Sequence, residues 1–435
     1  MTSSKGLFKS IASLGVVQIA NYVLPLISIP IISRIIGPEK LGVINYAVAF
    51  IAYFNILIGF GFDLTATRRL SKEPKNIRLR ITIFNEVLWS QFLLLVVSLV
   101  AYVICIYFLP PLAKDKEVAA YTFLICIGTF FSQNWLFQAM HDLPKIAWIN
   151  FLFKVLFTIM IIMNIKEEDD YVLHPLFTGM MHISISLFCF IWAFYRYELK
   201  FIAVKIKDVF RILHQEKVVF FSLLAINLYT TTNTVMLGLL ETPTQVGFYT
   251  ASQRLMSVVI GVINMPLSQA FYPFIGLAFV KSIEHGIETI QKILPVVIIF
   301  TLLTAIIIFF MGPSVVVWFY GAKFTSAIPV IKILAIVPMI VALSNMFGMQ
   351  IMLNLKLDRL YFMISAGGSV FGLALNYVMI TNFGFIGTAW NWLLVESYIA
   401  VVMYIALRIR GIDPIDFRRF SVPSMLELLG TLRRK

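Results

Sequence analysis

Apolar runs of about twenty residues alternate with short polar interruptions along the chain. As a helix, a run of that length crosses the roughly 30 Å hydrocarbon layer of a bilayer. Twelve such runs stand out: 11–36, 43–64, 82–109, 119–140, 146–165, 172–195, 218–240, 246–277, 291–312, 327–353, 360–381 and 384–407. The pattern predicts twelve membrane-spanning helices. Lys5 and Lys9 before the first run resemble the basic start of a secretory signal. That run, however, is about 26 residues long and carries Arg34 near its end, where a signal has a small-x-small cleavage site. It reads as a span.

Composition supports the same class. The 435 residues are 60% hydrophobic and 13% charged, against about 25% charged in soluble domains. The expected fold is an all-α polytopic membrane protein. Cys105, Cys126 and Cys189 all lie inside apolar runs and read as buried free thiols. No metal site and no cofactor is expected.

The net charge of +13 would suit nucleic acid, but its distribution points to a membrane. One alternating set of connections, with both termini, carries about 26 cations; the other carries about 6, namely Arg34, Lys40, Lys114, Lys116, Lys166 and Lys323. The positive-inside rule makes the rich set and both termini cytoplasmic. The basic tail reads as a topology determinant in contact with anionic membrane lipids.

Two interruptions resemble each other. "GPEKLG" (37–42) predicts a tight outer turn between spans one and two, and "ETPTQVG" (241–247) one between spans seven and eight. Aligning Pro38 with Pro243 puts Gly42 on Gly247 and span one on span seven. A weaker echo pairs "HPLFTGMM" (174–181) with "NFGFIGTA" (382–389), Gly179 opposite Gly387. The chain therefore divides into a six-helix lobe at 1–195, a basic linker at 196–217, a second six-helix lobe at 218–408 and a basic tail at 409–435. Parallel repeats of this kind suit a transporter that holds its substrate in a central cavity between pseudo-symmetric lobes.

Polar residues inside the spans are the candidate chemistry. Lys154 and Arg254 each sit about eight residues, roughly 12 Å, into a span. Such a cation faces water, snorkels or pairs, and Glu396 is the deep carboxylate available for pairing. Around Arg254, helical spacing collects Gly247, Thr250, Ser257 and Gly261, with Phe248, Leu255 and Val262 opposite. Around Lys154 it collects Asn150 and Thr158. Span one carries Gln18, Asn21 and Ser28 on one face, and span seven carries Asn227, Thr230 or Thr231, and Thr234. Paired stripes suit a cavity wall that hydrogen-bonds a polar substrate; the other reading is interhelical packing. Pro25, Pro30, Pro266 and Pro273 are expected to kink their spans. His182 in span six is a candidate for proton coupling, or a packed core histidine. Asp63 at the inner end of span two is a candidate latch, or the partner of Arg68 and Arg69.

No phosphate-cradling loop, metal-protease helix, nucleophile elbow or acid pair is present, so no enzyme is expected. Four longer strings carry a resemblance: "GFDLTATRRLS" (61–71), "NWLFQAM" (134–140), "NMPLSQAFYP" (264–273) and "SNMFGMQIMLN" (344–354). In order, and late in spans two, four, eight and ten, they resemble the O-antigen flippases, the Wzx proteins of the polysaccharide transporter family. That family shares a superfamily with the multidrug MATE exporters and the lipid II flippase. It usually has Gly where this chain has Ala139. The resemblance implies a two-lobe fold and an undecaprenyl-diphosphate-linked oligosaccharide carried across the bacterial cytoplasmic membrane by alternating access. It also implies a polysaccharide polymerase and a chain-length regulator as further partners. Two rival classes differ in their needs. A cation-coupled drug exporter would use acidic cavity groups, and a polysaccharide polymerase or ligase would need a large outer loop.

Overall fold

A computed structural model describes residues 4–267 and 271–420, with side chains from Ile27 onward except at 144–145, 225–226, 228–230 and 265–266. The helices in chain order are α1 (Ser4–Gly59), α2 (Phe62–Leu70), α3 (Ile77–Phe108), α4 (Pro110–Lys114), α5 (Lys116–Phe131), α6 (Asn134–Ala139), α7 (Leu143–Asn164), α8 (Leu173–Arg196), α9 (Ile206–Leu240), α10 (Pro243–Pro266), α11 (Tyr272–Lys281), α12 (Ile283–Tyr320), α13 (Ile328–Leu334), α14 (Val337–Asn345) and α15 (Asp358–Ile409). No strand occurs among the described residues.

Each of the twelve expected runs falls on helix. Among the described residues, eight stretches suffice by length and composition to cross a membrane, and two of these, Ile27–Leu70 and Asp358–Ile409, are double length. The doubling has a backbone cause. Gly37 (φ 73°, ψ 179°) interrupts α1, and Gly384 (φ 56°, ψ −138°) interrupts α15. Both conformations favour glycine. The outer turn read over 37–42 is thus shorter than expected: one residue breaks the helix and Pro38 starts the next. Proline suits a first helical position, because its φ is preset and its missing N–H has no partner there anyway. Pro243 opens α10 in the same way, just after α9 ends at Leu240.

Three spans expected to be continuous are broken among the described residues. Span two breaks at Phe60 and Gly61 (φ 46° and 80°), between α1 and α2. Span four breaks at Ser132–Gln133, between α5 and α6. Span eight carries α10 and α11, with Pro273 in the first turn of α11. Span ten divides into α13, α14 and a π-helical stretch, Met346–Met352. Hydropathy alone does not register these breaks, because the residues at them are mostly apolar.

The chain forms two compact units, Met1–Gly247 and Phe248–Lys435. In the first, α9 lies antiparallel to the 38–59 arm of α1. The Tyr46 ring lies against Gly238, Tyr53 Oη and Thr232 Oγ1 are 2.7 Å apart, and Phe60 stacks on Phe220 at 4.5 Å and 4°. α5 and α8 approach closely through glycine: a Cβ on Gly128 would lie 2.9 Å from the His182 backbone, and one on Gly179 would lie 2.9 Å from Tyr121 O. Small residues permit such approach between membrane helices. Trp135, Phe137, Phe62, Phe84 and Ile212 build a buried core around α2 and α6. At its edge, Tyr197 Oη donates to Asp142 Oδ2 at 2.8 Å. Burial and that carboxylate both push the phenol above its ordinary value, so it stays a donor. In the second unit the two arms of α15 pack together, with Gly368 against Ile399 and Gly372 against Val395.

The even count of runs and the charge bias give an expected topology. Reporter fusions after Lys217 and at the C-terminus should both read cytoplasmic. An external reading at either position overturns the two-half scheme.

Candidate functional site

Lys154 and His182 come together. Lys154 is half-buried on α7 and His182 is exposed on α8, close enough for their charges to interact. Two residues missed in the sequence stand beside them. Thr129 Oγ1, next to the Gly128 that meets His182, donates to Asn55 Oδ1 at 2.9 Å. Asn55 and Thr129 are half-buried. Asn55 has no polar residue at helical spacing on its own helix, and the Thr122–Thr129 pair on α5 is too sparse to stand out as a stripe. The result is a polar layer drawn from four helices: Asn55, Thr129, Lys154 and His182.

α9 is mixed. Asn227 and Thr231 are half-buried, and the Asn227 amide donates to Leu223 O of its own helix at 3.0 Å. Thr234 is only 5% exposed, so it lies on the packed side. The hydroxyl reaching the 38–59 arm belongs to Thr232, outside the expected stripe. Gln18, Asn21 and Thr230 have side chains outside the described residues.

Asp63 has a partner other than the one expected. Its carboxylate accepts from the Trp135 backbone N–H in the first turn of α6. Helix N-termini favour negative charge. Arg69 instead pairs with Glu86 at 2.6 Å. Thr67 Oγ1 completes the knot by donating to Trp135 O at 3.0 Å. Asp63 thus joins "GFDLTATRRLS" to "NWLFQAM". The other two strings are joined in the same manner: Gln350, fully buried in the π-helical stretch, donates to Leu267 O at 2.8 Å. The four strings of the resemblance therefore tie in pairs, one knot in each unit, each beside a broken span.

On α10, Arg254 and Ser257 are exposed and Gly261 is half-buried, whereas Thr250 is 8% exposed. The reverse face packs only in part: the Phe248 ring lies 5.6 Å from Phe385 and 6.3 Å from Phe324, whereas Val262 is 62% exposed. Arg254 lies near the middle of α10. Ser252, two residues earlier, donates to Ala327 O at 3.0 Å, just before α13, and the Arg254 charge reaches Tyr320 at the end of α12. The middle of α10 therefore faces the connection between α12 and α13. Glu396 is half-buried on the second arm of α15, with Tyr361 of the first arm nearby.

The repeated turns meet. A Cβ on Gly42 would fall on the Pro243 carbonyl, and a Cβ on Gly247 would fall on the Pro38 carbonyl. The first turns of the 38–59 arm and α10 are thus pressed backbone to backbone, each repeat's glycine on the other repeat's proline.

Comparison with known proteins agrees with this architecture. Residues 7–279 match the family described as polysaccharide biosynthesis protein. An Escherichia coli (strain K12) protein described as a candidate O-antigen transporter is 25% identical over 408 residues, 94% of this chain and 98% of that one. A Shigella dysenteriae protein of the same description is 24% identical over 271 residues, 61% of this chain and 66% of that one. Among solved structures, the lipid II flippase MurJ in an inward closed conformation superposes with a TM-score of 0.72 at 15% identity, covering 99% of this chain and 93% of that one. An inward-facing multidrug resistance MATE family transporter gives 0.68 at 14% identity, covering 92% and 98%. Those two likenesses concern the fold. With the match spanning most of the first unit and entering the second, the chain belongs to the polysaccharide biosynthesis protein family, on an all-helical membrane transporter fold.

Proposed function

We propose that the protein is a flippase. It moves an undecaprenyl-diphosphate-linked oligosaccharide from the inner to the outer leaflet of the bacterial cytoplasmic membrane, by alternating access between two six-helix lobes, with both termini cytoplasmic. The observation that carries this reading is the polar layer of Asn55, Thr129, Lys154 and His182 in a chain of this family. A charged side chain at the centre of a bilayer costs about 2.5–3.5 kcal/mol on insertion scales, so it stays where water or a ligand meets it. A diphosphate supplies the matching charge. Lys154 is a point-charge contact for it, and Asn55, Thr129 and Asn227 suit sugar hydroxyls. Arg254, with Ser257 on the same exposed face, offers the diphosphate a guanidinium grip. His182 beside Lys154 is placed to change the charge of the layer, which makes it the coupling candidate.

Deletion tests the reading. The lipid-linked oligosaccharide should accumulate on the inner leaflet while surface polysaccharide is lost. Complementation with Lys154→Ala should leave the accumulation in place. Normal surface polysaccharide after deletion, with increased retention of cationic drugs, would assign the chain to small-molecule export instead.

A further inference from the structure

We infer that each unit carries an interfacial strap, after α8 in the first and after α15 in the second, that binds anionic phospholipid of the inner leaflet. The inference uses the inner placement proposed above and does not depend on which substrate is carried.

The first strap follows α8. Its backbone is fixed by three hydrogen bonds from α3. Asn85, 1% exposed, uses both ends of its amide: Nδ2 donates to Lys200 O and Oδ1 accepts from Ile202 N, each at 2.8 Å. Trp89 Nε1 donates to Ile202 O at 3.0 Å. The Phe201 ring lies 4.9 Å from Phe194 and is still 61% exposed. Ile202, Ile206 and Phe210 are exposed as well, the last two one turn apart on α9. Among them stand the exposed cations Lys200, Lys205 and Lys207, none with a carboxylate partner among the described residues.

The second strap follows α15 and repeats the device on α12. Gln291 Nε2 donates to Asp413 O at 2.8 Å. Arg408 pairs with Asp413, and Arg419 reaches Glu288 at 3.4 Å and Asp416 at 3.3 Å. Exposed here are Ile409, Phe417, Arg410 and Arg418. In both units a side-chain amide clamps the strap to an earlier long helix, and the clamped backbone presents bulky apolar groups among cations. A single exposed phenylalanine on a surface needs no explanation. The same arrangement built twice, an exposed ring on a strap clamped by a side-chain amide, is a surface made to be covered.

The charge identifies the cover. Residues 196–217 hold six cations and three carboxylates, and residues 408–420 hold four and two. An anionic headgroup layer fits both features: ammonium and guanidinium groups sit at the phosphates while Phe and Ile enter the acyl boundary. An indole fixed at this level by its N–H, as in Trp89, is what the aromatic belt of a membrane interface contains.

The test uses the full chain, with its three native cysteines replaced, in lipid nanodiscs holding one copy each. An environment-sensitive fluorophore is attached at Ile206→Cys or at Phe417→Cys. In phosphatidylcholine discs with rising phosphatidylglycerol, both labels should shift to an apolar spectrum, and high salt should reverse the shift. Lys200→Gln with Lys205→Gln and Lys207→Gln should require roughly tenfold more phosphatidylglycerol for the same shift at position 206, and no change at position 417. Should that triple variant not fold, the salt titration of the unaltered-charge protein decides. Equal spectra with and without phosphatidylglycerol, a shift that survives high salt, or a triple variant that behaves like its parent each overturn the proposal. A shift seen only when discs hold several copies would assign the surface to a second protein chain.

Discussion

Gly42→Leu is expected to abolish surface polysaccharide and lower the melting temperature of the purified protein, and Gly247→Leu to do the same. Each glycine lies against the carbonyl of the other repeat's proline, with no room for a Cβ. The obstacle is backbone, which cannot rotate aside as a side chain does. Overpacking of this kind costs about 1–3 kcal/mol, occasionally more. The reciprocal geometry adds a sharper expectation. Once alanine at Gly42 has parted the two first turns, alanine at Gly247 meets a gap already open. The double alanine variant should therefore lose less stability than the two singles together, by roughly 0.5–3 kcal/mol. Strict additivity in thermal or denaturant unfolding would mean that the two contacts are independent.

Arg254→Ala is expected to stop transport while the protein still inserts, and Arg254→Lys to recover only part. A guanidinium grips phosphate oxygens through two parallel hydrogen bonds, a geometry an ammonium does not reproduce. Arg254 is exposed on α10 with Ser257, whereas the reverse face carries Phe248 packed on two rings. A cysteine at position 254, in a background lacking the native cysteines, should react with a membrane-impermeant thiol reagent, and lipid-linked substrate should slow it. A cysteine at position 248 should not react. Normal surface polysaccharide from the alanine variant at normal expression would make Arg254 a structural cation.

The helices were legible because twenty apolar residues in a row have few other fates, and the breaks at Gly37 and Gly384 were legible because glycine and proline announce themselves. The three further breaks were hidden. Ser132, Gln133 and Asn134 are a short polar patch in a mostly apolar run, and the π-helical stretch contains ordinary helix formers. What fixes those breaks is nonlocal: the Asp63 carboxylate on the Trp135 N–H, and the Gln350 amide on the Leu267 carbonyl. The site was legible one helix at a time. Helical spacing found Lys154 and His182 separately, but their proximity depends on how α7 and α8 pack. Asn55 and Thr129 satisfy each other across two helices, and spacing along one helix does not reveal that. The strings that carried the resemblance proved to be knots between helices. A family signature here marks what the fold requires at least as much as what the substrate touches.

The antiparallel seam between the 38–59 arm and α9 restricts how these helices move. A slide of one turn would bring Thr234 or Thr242, each with a side chain, against the Tyr46 ring that now lies on Gly238. It would also put Leu228 or Met236 opposite Tyr53 in place of the Thr232 hydroxyl, and unstack Phe60 from Phe220. No neighbouring register restores all three contacts, so the pair has one indexed position and no second detent. Shear motions work by stepping packed helices between equivalent registers, whereas hinge motions leave packing intact and bend at a few residues. This pair is unsuited to shear. It moves as a single rigid beam, and the bending falls on Gly37 and Gly61, the two positive-φ glycines that bracket the arm.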